Sequence, residues 1–136
     1  MIEGLSHITF VVRDLDRMEE ILVSVLGARK VYDSGDKTFS VSRERFFLAG
    51  EAPVWLAIME GENLPTRTYN HVAFKIPEAN YSACLERVRA LGLEVREGRS
   101  RVEGEGRSIY FYDHDNHLFE LHTGTLEKRL RRYISK

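Results

Sequence analysis

A single cysteine, Cys84, stands in this chain of 136 residues. No disulfide can close within the molecule, and the chain suits a reducing compartment such as the cytoplasm. Charge of one sign is missing too: 20 basic residues against 21 acidic ones leave a net charge of -1. That balance excludes the basic surplus expected of a nucleic-acid binder. No apolar run approaches the ~20 residues that a membrane span requires. The opening MIEGLSHITFVVRD, with an acid at Glu3 and a short apolar stretch, does not read as a secretory signal. The most basic segment, KRLRRY at 128–133, is short and reads as a solvated helix face. No low-complexity tract occurs, and 43% hydrophobic with 30% charged residues is the composition of an ordinary globular protein. The length fits one domain or two small modules sharing a core. Cys84 itself lies in YSACLERVRAL at helical spacing with Leu85, Val88 and Leu91, the place of a core thiol rather than a nucleophile.

What is present is a repeat. LSHITFVVRDL at 5–15 resembles YNHVAFKIPEA at 69–79, which sets His7 against His71, Ile8 against Val72, Phe10 against Phe74 and Val12 against Ile76. A segment of helical period follows each copy. In 14–28 the apolar residues are Met18, Ile21, Leu22, Val25 and Leu26; in 78–93 they are Tyr81, Cys84, Leu85, Val88 and Leu91. Asp14 and Asp16 suit the start of the first helix, and Gly27 and Gly92 are placed as stops. Strand-like runs come next: ARKVYDSG, KTFSVSRERFFLAG and PVWLAIMEG in one copy, LEVREGR, RSIYFYDHD and HLFELHTG in the other. Aligning Gly61 with Gly124 sets WLAIMEG against LFELHTG. The expected architecture is α+β, a βαβββ module over 1–63, a second over 64–125, and a C-terminal helix or tail over 126–136.

Side chains alternate across a strand. Ile8, Phe10 and Val12 share one face, with His7, Thr9 and Val11 opposite; Val72, Phe74 and Ile76 repeat the apolar face, with His71 and Ala73 opposite. In HLFELH, Phe119 and Leu121 point one way and Leu118, Glu120 and His122 the other. Glu120 is the odd residue, because a buried carboxylate without a partner costs several kcal/mol or more. Four repeat-equivalent positions hold His7, Ala57, His71 and Glu120. Two imidazoles and a carboxylate on a concave surface suit a divalent metal with positions left open for water or substrate, and the cation would compensate Glu120. His114 reads as a turn residue in DHDNH, and His117 and His122 as strand-end residues or supports behind the ligands.

The paired modules with His, His and Glu resemble the vicinal oxygen chelate superfamily. LSHITFVV, SGDKTFS, RTYNHVAFKI, RVEGEGRSIYFYD and DNHLFELHTGTLEKRLRRY resemble, more narrowly, the fosfomycin-resistance proteins of the epoxide-hydrolase type. The resemblance implies that His7, His71 and Glu120 ligate a metal, with Mn²⁺ as the ion, other divalent metals being compatible with the same donors. It implies a homodimer in which modules pair across a two-fold axis, His7 coming from one subunit and His71 with Glu120 from the other; the repeat permits pairing within a chain equally well.

The substrate so implied is a small phosphonate bearing an oxirane, fosfomycin, opened by water to an inactive diol. Its dianion needs cationic and hydroxyl donors, and the matching positions are Tyr69, Ser108, Tyr110, Arg129 and one of Arg99 and Arg101. Thr9 would hold a substrate oxygen beside His7. Trp55 and Phe46 would form an apolar wall, or plain core. Glu44, in VSRERFF, is the general base that the resemblance implies for water. Beside hydration, and beside a lyase, isomerase or dioxygenase of the same superfamily using the same three ligands, two other readings stand. One is thiol transfer to the same epoxide, for which a monovalent-cation loop is opposed by Arg107 in VEGEGRS. The other is sequestration of the drug without chemistry, against which the three ligands speak.

Overall fold

The computed structural model describes residues 1–96 and 105–135, and the chain divides into two compact units. The first comprises Met1–Thr66 with Asp113–His117, the second Arg67–Tyr112 with Leu118–Lys136.

In the first unit the order is β1 (His7–Val12), α1 (Leu15–Ser24), β2 (Arg29–Asp33), β3 (Glu44–Ala49) and β4 (Val54–Glu60). These strands form one sheet of order β1-β4-β3-β2. β1 runs parallel to β4, and the remaining pairs are antiparallel. Asp14 caps α1, its side chain accepting from the backbone N–H groups of Asp16 and Arg17, as the sequence predicts. Gly27 and Gly92 both take positive φ, 65° and 70°, which is why glycine ends each helical segment. α1 buries Leu15, Met18, Ile21 and Leu22 on the sheet face that carries Phe10, Val12, Phe47, Leu56 and Ile58.

The second unit repeats the plan. β5 (His71–Lys75) leads through a single 3-10 turn, Glu78–Asn80, into α2 (Tyr81–Ala90), followed by β6 (Val95–Arg96), β7 (Ser108–Tyr112) and β8 (Leu118–His122). The sheet order is β5-β8-β7-β6, with β5 parallel to β8. Phe111 and Phe119, both fully buried, stack with ring centroids 5.4 Å apart. Cys84 is buried in this core. The segment after β8 is α3 (Leu126–Ile134), capped by the Thr125 hydroxyl. Among the described residues no helix is long and apolar enough to cross a membrane.

The two ladders match rung by rung. His7 lies opposite Trp55 and Thr9 opposite Ala57, which in turn faces Phe46. In the second unit His71 lies opposite Leu118 and Ala73 opposite Glu120, which faces Tyr110. The proposed correspondence of Ala57 with Glu120 therefore holds in the hydrogen-bonded register.

One strand expectation is corrected. Residues 37–43 of KTFSVSR are not strand; β3 begins at Glu44. The pairing of β2 with β3 ends at Asp33 and Arg45, so nothing remains for the earlier residues to pair with. Phe39 and Val41 are 72% and 87% exposed, and alternation there marks no buried face.

Phe111→Ala removes a wholly enclosed ring, and the expected loss is about 3–5 kcal/mol of folding stability, read from chemical denaturation midpoints at unchanged slope.

Candidate active site

The second unit gathers most of the expected residues. A cavity of about 300 Å³ is lined by His71, Ala73, Glu120, His122, Gly124, Thr125, Leu126 and Arg129. β5 and β8 run side by side here, and their alternation turns His71 and Glu120 to the same face. Glu120 is only 5% exposed.

The hydrogen bonds give each of these side chains a direction. His71 Nδ1 lies 2.7 Å from the carbonyl of Tyr69, so Nδ1 carries the proton and donates. The lone pair is then on Nε2, which lies 3.1 Å from Glu120 Oε1. Two electron-rich atoms at that separation need a shared proton or a cation between them. The second carboxylate oxygen, Oε2, accepts from the Ser108 hydroxyl at 2.5 Å. Ser108, expected among the donors to substrate, thus has its proton on Glu120. The donor set fits a divalent metal: an imidazole held in the right tautomer beside a buried carboxylate that, among the described residues, pairs with no lysine or arginine. Among the described residues, no group of three His, Cys, Asp or Glu side chains gathers in a way that could hold a metal ion.

Around this pair, the Tyr69 and Tyr110 hydroxyls are 3.2 Å apart, and the Tyr110 ring meets His71 edge-on at 5.6 Å. Burial, the hydrogen bond with Tyr69 and the nearby Glu120 charge push the Tyr110 phenol far above its ordinary range. Tyr110 therefore remains a neutral donor at any physiological pH. Arg129 reaches from α3 to the same cavity, its Nη2 lying 3.5 Å from His122 Nε2.

The first unit holds the remaining expected residues on one sheet face. His7 and Thr9 are exposed on β1. The His7 ring stacks on Trp55, centroids 4.2 Å apart and planes 29° apart, and Trp55 in turn meets Phe46 edge-on at 5.1 Å. Among the described residues the buried Trp55 indole N–H has no hydrogen-bond partner. Glu44 opens β3 on the same face as Phe46, half-buried and in register with Met59. Its backbone is tied to Ser34 through both N–H and carbonyl. Among the described residues its carboxylate has no hydrogen-bond or ion-pair partner.

Arg101 and its alternative Arg99 lie outside the described residues. Arg107 differs from expectation. Its guanidinium sits 3.7 Å from the centre of the Tyr81 ring and 3.5 Å from Glu78, so its charge is engaged at the start of α2. His114 and His117 are accounted for within the first unit, against Arg17 at 2.8 Å and Asp113 at 2.7 Å respectively. Burial and the Arg17 charge hold the His114 imidazole below its ordinary pKa. Sequence reasoning left His122 at a strand end or behind the ligands, and Gly124 only as a marker for aligning the repeat. HLFELH already places His122 on the face of Glu120, but nothing local says what it touches.

A model of the Glyoxalase/Bleomycin resistance protein/Dioxygenase superfamily matches residues 4–121. Over 97% of this chain and 94% of the relative, the chain is 63% identical to the fosfomycin resistance protein FosX of Mesorhizobium japonicum. The chain belongs to that superfamily, among the FosX proteins. A point mutant of FosX from Listeria monocytogenes, solved with Mn(II) and 1S,2S-dihydroxypropylphosphonic acid, superposes with a TM-score of 0.86 at 52% identity. The match covers 98% of this chain and 99% of that one. The metallothiol transferase FosB of Staphylococcus saprophyticus is 34% identical over 98% of this chain and 85% of its own.

In this FosX-type site the cavity wall depends on Gly124. A Cβ there would lie 2.4 Å from the Glu105 carbonyl oxygen and 2.7 Å from His122 Nε2. Gly124→Ala is expected to lower stability by about 1–3 kcal/mol and to displace the His122 ring, seen as shifted imidazole resonances alongside a lower melting temperature.

Proposed function

We propose that this protein is a manganese-dependent hydrolase that adds water to the oxirane of fosfomycin, giving an inactive diol and conferring resistance to the drug. The observation that carries the reading is the near full-length match to a FosX structure holding Mn(II) and a dihydroxypropylphosphonic acid. That compound is what water leaves when it opens an epoxypropylphosphonate.

His71 and Glu120 would hold the ion, with His7 as the third ligand from a second copy of the chain. The protein would then act as a homodimer, and the absence of disulfide chemistry suits a cytoplasmic enzyme. Two imidazole nitrogens and one carboxylate accept Mn²⁺ and its first-row neighbours. Bound there, the cation supplies Lewis acidity to the departing oxirane oxygen. The chain's own residues do the remaining work. Water is a poor nucleophile at neutral pH, and Glu44 takes its proton as the new C–O bond forms and the oxirane C–O bond breaks. An unpaired, half-buried carboxylate is suited to that role. Thr9 holds a substrate oxygen. Arg129, Tyr69, Tyr110 and Arg101 offer donors to the phosphonate dianion, while Trp55 and Phe46 face its apolar side.

Thiol transfer is the second reading, favoured by the 34% identity to a FosB protein. It requires no carboxylate to activate water, and Glu44 is the residue that separates the two.

Phosphorus NMR of fosfomycin with the purified protein and Mn²⁺, thiol omitted, should show conversion to the diol. An unchanged spectrum that shifts only when a thiol is added would move the protein to the transferase class. Glu44→Gln should slow hydration by roughly 10²–10⁴-fold while Mn²⁺ affinity stays within a few-fold of wild type; lost Mn²⁺ binding in that variant would contradict its assigned role.

A further inference from the structure

We propose that His122 is a positioning residue for Glu120, acting through Ser108 to aim the carboxylate at the cavity. The inference rests on the metal reading above and concerns a side chain to which that reading assigns no role.

Its basis is a line of donors whose directions are fixed from one end. Arg129 has only N–H donors to offer, and its Nη2 lies 3.5 Å from His122 Nε2. Nε2 is therefore the acceptor, and the proton of the neutral ring sits on Nδ1. Nδ1 lies 2.7 Å from Ser108 Oγ and 3.4 Å from Glu120 Oε2. Ser108 accepts from His122, and its one hydroxyl proton then goes to Glu120 Oε2 at 2.5 Å. The result is directional: Arg129 to His122, His122 to Ser108, Ser108 to Glu120.

Two consequences follow for the carboxylate. Oε2 is occupied by the hydroxyl, so Oε1 is the oxygen left facing His71 Nε2, 3.1 Å away. A buried carboxylate also needs hydrogen-bond donors, and a hydroxyl polarised by an imidazole that itself leans on a guanidinium supplies one. The matching arrangement on the other ligand is simpler: the Tyr69 carbonyl fixes His71 directly. Both side chains thus have one atom tied back and one directed into the same space. The surroundings make room for the imidazole, since any side chain at Gly124 would meet His122 Nε2 at 2.7 Å.

The first unit provides an internal contrast. Met59 faces Glu44 on the rungs where His122 faces Ser108. Where the metal-facing position is Ala57, no histidine stands behind it; where it is Glu120, one does.

Three substitutions separate the Nδ1 donor from the rest of the ring. Asparagine places an amide N–H where Nδ1 stands, glutamine places its amide near Nε2, and leucine keeps bulk alone. Mn²⁺ affinity would be read from the free-ion electron paramagnetic resonance signal, without substrate. Supports of this kind are worth roughly 10–100-fold in metal affinity. His122→Leu and His122→Gln are therefore expected to weaken Mn²⁺ binding by about 10-fold or more, and His122→Asn to stay within a few-fold of wild type. Equal Mn²⁺ affinity in wild type and His122→Leu would overturn the assignment. If His122→Leu does not fold, the Asn and Gln variants decide: asparagine rescuing and glutamine failing supports the donor role, and equal affinities overturn it. A wild-type protein that binds no Mn²⁺ would instead overturn the hydrolase reading itself, and the role of His122 with it.

Discussion

The structure of the site depends on keeping a charged carboxylate where water hardly reaches. Glu120 sits mid-strand in β8 between the buried Phe119 and Leu121, where a carboxylate without partners is costly. What permits the charge is a set of partners brought from other segments of the chain: a hydroxyl from β7, imidazoles from β5 and from the end of β8, a guanidinium from α3. None of these neighbours neutralises Glu120 outright. They leave one oxygen aimed at a histidine lone pair, a geometry that calls for a cation.

Strand alternation is the means by which two kinds of surface come from one repeat. In both units the inward-facing residues of the outer parallel pair are bulky and apolar, packed under a helix, while the opposite face carries histidine at the equivalent first position. Beyond that the copies diverge. Ala57 replaces the acid, and Glu44 stands in register where the second copy has Ser108. The same ladder position supplies a hydroxyl that donates to Glu120 in one unit and, in the other, a carboxylate without a partner among the described residues. Across from that position lies Met59 in the first unit and His122 in the second. On the proposed reading, divergence at a few rungs of a repeated scaffold would give a ligand, its support and a base.

The relationship to FosX and, more distantly, to FosB follows the same division. The scaffold belongs to the superfamily. On the proposed mechanism, the distinction between water and a thiol as nucleophile would rest on few side chains, with Glu44 chief among those described. The Arg107 guanidinium lies over the Tyr81 ring and beside Glu78.

Much of the fold was legible because its signals are local. The histidines at 7 and 71, the apolar periods of 18–26 and 81–91, the cap at Asp14 and the stops at Gly27 and Gly92 each report on a few neighbouring residues. The offset between copies then delivered Ala57 and Glu120 as equivalents. The strand expected across 37–43 failed for the opposite reason, since alternation is necessary for a half-buried strand but a partner is also required, and β2 ends too early to provide one. What only the tertiary structure decided is the direction of the hydrogen bonds: that Ser108 gives its proton to Glu120, that His122 stands behind it, and that His71 carries its own on Nδ1. Those directions depend on acceptors and donors from segments far apart in the chain, and no pattern along a single strand can specify which of them will meet.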